Sequence, residues 1–274
     1  MPGDGNSSQL VVKAQIRSVE RRPMNFAIIT GSSSGLGLEA AKLLLDEGWY
    51  VLGVSRSQAE FTHERFVQQK VDLSVGQEVE SFFQSSFNDF IPNNIKRVAL
   101  LNNAGTIDPV GPINEFSMSQ LQSVYTLNLI TPVWLMSHMC RQFEGIDLRV
   151  INISSGAATS AYEGWLVYCS SKAGLKMASS VLGEEEYKGL SLYDFSPGPM
   201  DTKMQHQVRS LDRERFPAIQ KFLDLKADGK LVPVEEIALE ILEFFAAKSP
   251  EKFVSRRYAG EQRNHYLSRF NIQD

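Results

Sequence analysis

Short apolar runs alternate along the chain with stretches whose apolar residues recur every three or four positions. The runs 26–29, 50–54, 66–71, 98–101, 150–154 and 190–195 have the length and β-branched content of buried strands. Between them lie helical patterns. Leu38, Ala41, Leu44 and Leu45 mark one that ends near Gly48, and Val79, Phe82, Phe83, Phe87 and Phe90 form an aromatic stripe that reads as core. Ser117 and Gln120 have the spacing of a capping box and predict a long helix running to about Gln142. Phe216, Ile219, Phe222 and Leu223 predict a helix inside the excursion 200–230, and Pro233 precedes another over 234–247. The run 253–258 reads as a last strand, with Arg256 and Arg257 ill suited to the middle of a sheet, and the polar tail from Gly260 has no assigned element.

Composition narrows the field. The chain has 274 residues, 43% hydrophobic and 22% charged, which suits one globular domain. A formal net charge of -4 gives no basic footprint for nucleic acid, and no apolar run reaches the roughly 20 residues needed to span a bilayer. Cys140 and Cys169 lack metal-ligand spacing and predict a reduced, cytoplasmic protein. Residues 1–23 mix Gly, Ser, Pro, Asp and Arg without the apolar core of a signal peptide. They are expected to be a disordered leader or a cloning remnant, with an organelle-targeting segment as the alternative, and Met24 opens the folded domain, 24–274.

Chemistry concentrates after the run 150–154. Tyr168 and Lys172 lie four apart on a predicted helix, so phenol and ammonium share a face, and Ser155 stands at the strand exit. A phenol with an ordinary pKa of about 10 is drawn toward neutral pH by an adjacent ammonium. Tyr168 is then a proton donor to a carbonyl oxygen that Ser155 also binds. Upstream, the run 26–29 passes into Thr30-Gly31-Ser32-Ser33-Ser34-Gly35-Leu36-Gly37 and then a helix, the arrangement in which a pyrophosphate meets free backbone N–H groups. The second strand ends at Ser55-Arg56. An acid there would select a ribose hydroxyl; a guanidinium suits a 2'-phosphate.

Together, G-x-x-x-G-x-G at Gly31, Gly35 and Gly37, Asn102-Asn103-Ala104-Gly105, Ser155 with Tyr168 and Lys172, and Pro197-Gly198 with Thr202 resemble the short-chain dehydrogenases/reductases from Met24 to about Phe253. The resemblance implies a doubly wound (Rossmann) parallel sheet in a single domain, and NADP(H) held by Gly31, Ser33, Ser34, Gly35, Leu36, Gly37, Arg56, Asp72, Leu73, Asn103, Ala104, Gly105, Tyr168, Lys172, Pro197, Gly198 and Thr202. It implies catalysis by Ser155, Tyr168, Lys172 and Asn128: Tyr168 protonates the carbonyl oxygen, Ser155 orients it, Lys172 lowers the Tyr168 pKa and holds the nicotinamide ribose, and Asn128 anchors a proton-relaying water. A homodimer through the helix ending near Gln142 and the Tyr168 helix is also implied, with Leu135, Met136 and Met139 as added apolar surface.

Within that family, Gly164 to Cys169, Pro197 to Gln205 and Leu225 to Val232 resemble the sepiapterin reductases and their diketone-reducing relatives. The expected substrate is a small carbonyl compound bound by Ser155, Trp165, Tyr168, Met200 and Met204 under the segment 200–230. In the subgroup an acid near the C-terminus grips a pterin. Gly260 stands near that position here, with Glu261 beside it, which favours diketones or aryl ketones over a pterin.

Overall fold

Each predicted strand is present, and all of them run parallel. In the computed structural model, which describes residues 23–260 and 263–269, β1 (Met24–Thr30), β2 (Tyr50–Ser55), β3 (Phe66–Lys70), β4 (Ile95–Asn102), β5 (Asp147–Ile153), β6 (Leu190–Ser196) and β7 (Phe253–Arg257) form one sheet in the order β3-β2-β1-β4-β5-β6-β7. Chain order reverses at β1, so the connections leaving β1 and β4 part in opposite directions. The crevice between them, at the carboxyl ends of the strands, is where such sheets bind ligands.

The period-two alternation of the strands divides the core. Phe26, Ile28, Leu52, Val98, Leu100 and Val150 face one layer of helices; Ala27, Ile29, Val51, Ala99, Leu101 and Ile151 face the other. The first layer contains α2 (Gly76–Ser81), α3 (Met118–Tyr125), α4 (Thr131–Gln142) and α5 (Leu166–Glu184); the second contains α1 (Gly35–Asp46) and α8 (Val234–Ala246). The expected doubly wound architecture is therefore present. Two shorter helices, α6 (Lys203–Arg209) and α7 (Ile219–Ala227), lie in the excursion after β6, and α9 (Arg263–Arg269) occupies the tail left unassigned from sequence. Among the described residues no helix is long and apolar enough to cross a membrane.

The capping box forms as expected: Gln120 N donates to Ser117 Oγ at 3.3 Å and Ser117 N to Gln120 Oε1 at 2.9 Å. The helix it starts is not uniform, because a π-helical turn, Thr126–Ile130, separates α3 from α4. Leu135, Met136 and Met139, expected as apolar surface for a dimer, are buried against the sheet instead. Apolar side chains left outside on this stretch and on α5 include Met118, Ile130, Val133, Leu166, Met177 and Val181. β7 sits at the edge, where the exposed Arg256 and Arg257 are tolerated.

At the far end of the sheet Arg97 and Arg149 share Asp147, with Nε–Oδ distances of 2.7 and 2.9 Å. Both guanidinium groups also donate to the last carbonyls of α8: Arg149 to Phe244 O at 2.9 Å and Phe245 O at 3.0 Å, Arg97 to Phe245 O at 3.1 Å. Helix C-terminal carbonyls need such donors. Burial pushes the Asp147 carboxyl up, but hydrogen bonds and charge from Arg149 and Arg97 outweigh it and hold the group below the usual range.

Candidate active site

A cleft of about 650 Å³ opens at the carboxyl ends of the strands, at the crossover between β1 and β4. Gly31, Ser33, Ser34, Gly35, Leu36, Arg56, Asp72, Leu73, Asn103, Ala104, Gly105, Pro197, Gly198 and Thr202 line it. So do Ser155, Trp165, Tyr168, Lys172, Met200 and Met204. Residues far apart in sequence are thus brought into one continuous surface. Gly37 and Asn128 are the two predicted site residues set back from it.

The glycines matter through close approach. A Cβ on Gly37 would stand 2.3 Å from Gly31 O, so helix α1 can begin this near the turn only without a side chain there. Ser34 supplies no side-chain cap to α1, and the first turn holds no acid, which leaves the backbone N–H groups and the positive end of the helix dipole for an anion. A dinucleotide pyrophosphate fits this cradle. Thr30, which sequence reasoning passed over, holds the facing loop: its Oγ1 donates to Leu101 O at 3.1 Å and accepts from Asn103 N at 2.9 Å and Ala104 N at 3.1 Å. Asn103 Nδ2 returns to Thr30 O at 3.0 Å. At the other end Arg56 is exposed at the edge of the cleft opposite Asp72. Burial raises the Asp72 carboxyl, but hydrogen bonds from Ser74 and the charge of Arg56 bring it below its ordinary value.

Tyr168 is 7% exposed and lines the cleft together with Ser155. Lys172 is 5% exposed, and its Nζ donates to Ile153 O at 2.8 Å. The two groups share a helix face as predicted, yet the electrostatics run differently from the sequence expectation. Burial pushes the Tyr168 phenol above its usual value, against the lowering effect of Ser155 and with a small further rise from Cys169. Burial also lowers Lys172 to about 8, opposed by the Asp194 carboxylate. Desolvation disfavours both charged forms, and in this geometry it outweighs the attraction between them. The i, i+4 spacing was visible in sequence; the depth of burial was not.

Asn128 is fixed through both atoms of its amide. Its Oδ1 accepts from Thr106 N at 3.0 Å, and its Nδ2 donates to Thr106 O at 2.9 Å and Ser171 Oγ at 3.2 Å. The side chain clamps the loop after β4. A Cβ on Gly105 would lie 3.2 Å from Asn128 Oδ1 and 3.8 Å from Lys172 Nζ, so both side chains approach this glycine.

The end of the cleft beside Tyr168 is aromatic. Trp165, the residue before α5, stacks on Phe216 with centroids 4.4 Å apart, and Phe222 and Tyr162 lie 5.3 and 5.4 Å from it. Tyr162, Phe222, Leu225 and Arg257 also line the cleft and were not among the predicted site residues. The helical stripe containing Phe222 was legible, but not which of its residues point inward. The excursion 200–230 is tied down beside these rings: Val232 N donates to Pro199 O at 2.9 Å, Lys221 Nζ to Tyr162 Oη at 2.8 Å, and Arg215 to Val110 O at 3.1 and 3.2 Å. Gly260 is exposed at φ +87°, and a Cβ there would meet nothing within 4 Å. It is not among the residues lining the cleft, and Glu261 lies outside the described residues.

Comparison with known proteins agrees with this geometry. The family model described as short chain dehydrogenase matches residues 25–213. A benzil reductase ((S)-benzoin forming) of Bacillus subtilis (strain 168) is 37% identical over 224 residues, spanning 80% of this chain and 92% of that protein. Sepiapterin reductase of Mus musculus is 32% identical over 236 residues, spanning 78% and 89%. The crystal structure of a short-chain dehydrogenase/reductase from Burkholderia vietnamiensis superposes with a TM-score of 0.62 at 31% identity, covering 70% of this chain and 94% of that one. With the family model spanning both the glycine turn and the Ser155, Tyr168 and Lys172 cluster, the chain belongs to the short-chain dehydrogenase/reductase family of oxidoreductases.

Proposed function

We propose that the protein is an NADPH-dependent carbonyl reductase acting on vicinal diketones or aryl ketones. The observation that carries this reading is that Tyr168, lining the cleft with Ser155, stands edge-on to Trp165 in an aromatic wall of Tyr162, Trp165 and Phe222 backed by Phe216. The nicotinamide, when bound, supplies the hydride. Ser155 and Tyr168 hold the substrate oxygen, and Tyr168, kept protonated by burial, gives its proton to that oxygen as negative charge develops. Lys172 fixes the ribose side of the site and supplies the cation beside Tyr168. Arg56, at the place where an acid would select a ribose hydroxyl, favours the 2'-phosphate.

The benzil and sepiapterin reductases among the relatives support carbonyl reduction, and the choice between their substrates rests on the cleft. A pterin offers several hydrogen-bonding edges and needs a polar anchor; an apolar pocket with few polar groups suits a diaryl diketone. Gly260 supplies no such anchor. A sepiapterin reductase is the second reading. A protein that only senses NADP(H) has no use for a buried phenol next to a serine and is the least supported. The test is NADPH oxidation by the purified protein with benzil, other vicinal diketones, simple ketones and sepiapterin. Turnover highest with the aryl diketones is expected. Efficient turnover of sepiapterin alone would transfer the reading to the pterin reductases, and none with any carbonyl would defeat it.

A further inference from the structure

One helical turn beyond Lys172 on α5 lies a second lysine. Lys176 Nζ donates to Asp194 Oδ2 at 3.0 Å and to Ser255 Oγ at 2.6 Å, and Ser255 Oγ donates to the same Oδ2 at 2.8 Å. Asp194 is 2% exposed, while the Lys176 side chain is 34% exposed. The other carboxylate oxygen, Oδ1, is buried and has no hydrogen-bond partner. On the sheet, Asp194 of β6 pairs in register with Asn152 of β5, the residue before Ile153, whose carbonyl accepts from Lys172 Nζ. Residues four apart on a helix share a face, so Lys172 and Lys176 present two cations in succession to the same pair of strands. A carboxylate this deeply buried is costly unless cations face it, and Lys176 occupies only one of its oxygens.

We propose that Asp194 is a positioning residue for the reaction, its buried carboxylate shared between Lys176 and Lys172 so that the Lys172 ammonium stays charged inside the cleft. This rests on the role given to Lys172 above. Lys172 donates to the Ile153 carbonyl of β5 and lies beside Gly105 of the loop after β4, with Tyr168 and Lys176 one turn away on its own helix and Asp194 of β6 acting on it through charge. Asp194 is the anion among them. Burial drives Lys172 down to about 8, and Asp194 opposes that fall. Lys176 holds one oxygen of that carboxylate, so removing its charge leaves more of the anion to Lys172.

Removing each charge should therefore move Lys172 in opposite directions. The direct readout is the titration of Lys172 in the full chain without cofactor, followed by NMR through the Cε and Nζ shifts of isotope-labelled lysine and assigned by their loss in Lys172→Met. In Asp194→Asn the midpoint is expected to fall by about one pH unit, and in Lys176→Met to rise. The alkaline limb of kcat/KM should shift in the same two directions. A purely structural Asp194 would lower the melting temperature and leave the midpoint in place, which overturns the proposal. If Asp194→Asn does not fold, Lys176→Met alone decides, since an unmoved or lowered midpoint there is equally fatal. An inactive wild type would defeat the carbonyl reductase reading while leaving this titration measurable.

Discussion

The Trp165 indole stands edge-on to the Tyr168 phenol, with ring centroids 5.2 Å apart and planes at 70°. On another side Trp165 stacks on Phe216, which is fully buried, and the apolar cluster continues to Ile107 and Val208. The indole that lines the cleft therefore also packs against the Tyr168 phenol. Edge-to-face packing of this kind fixes ring orientation beyond what burial alone does.

Phe222 extends the wall without touching the core of the sheet. Phe222→Ala should raise KM for an aryl diketone by about tenfold, the worth of one lost aromatic contact, while NADPH affinity stays unchanged. Steady-state kinetics beside a cofactor titration checks this. An equal loss of cofactor affinity would place Phe222 in general packing instead.

Arg56 is expected to carry the preference for NADPH. Charge-assisted hydrogen bonds to a phosphate are worth about 1.5 to 3 kcal/mol, so Arg56→Ala should weaken NADPH by about tenfold or more and NADH little. Fluorescence titration with both cofactors separates the cases, and parallel losses would make Arg56 a bystander.

Asp147 governs acid stability at the opposite end of the sheet. Its carboxyl lies below the usual range when folded, so the stability it contributes is present above the ordinary Asp value of about 3.9 and lost as pH falls through the lower folded value. Asp147→Asn strands Arg149, 1% exposed, without its counter-charge. A loss of about 3 kcal/mol at neutral pH is expected. Urea unfolding at several pH values should show the gap to wild type closing in acid; a gap independent of pH would contradict the assignment.

Exposed apolar side chains on adjacent helices point to self-association. Ile130 and Val133 are 55% and 37% exposed, and Met177 and Val181 on α5 are 64% and 52% exposed. A homodimer through this face is expected, and the double variant Ile130→Glu, Val181→Glu should be monomeric. Light scattering at micromolar concentration measures it directly. A monomeric wild type would rule the interface out.

What the sequence revealed and what it concealed follow from range. Gly31, Gly37 and the Asn102-Asn103-Ala104-Gly105 turn were legible because their roles are local: a tight turn, a close approach, a strand end. Tyr168 and Lys172 were legible because helical spacing places them together. Their electrostatics were not, since these depend on how much of the fold covers them. Leu135, Met136 and Met139 failed as surface residues for a related reason: an apolar position on a long helix does not announce which side meets the sheet. Arg149 and Asp194 read as ordinary charged residues in their strands. Only the register between β4, β5 and β6 shows that both are buried with partners distant in sequence.

The central claim is that Tyr168 donates the proton in carbonyl reduction, and Tyr168→Phe tests it with the loss of one oxygen. Turnover of the best aryl diketone at saturating NADPH and the dissociation constant for NADPH are measured on the same preparation. The expected result is a fall in turnover of about 10² to 10⁴ with cofactor affinity retained. Near-normal turnover in Tyr168→Phe, with the protein folded and NADPH bound, would contradict the account.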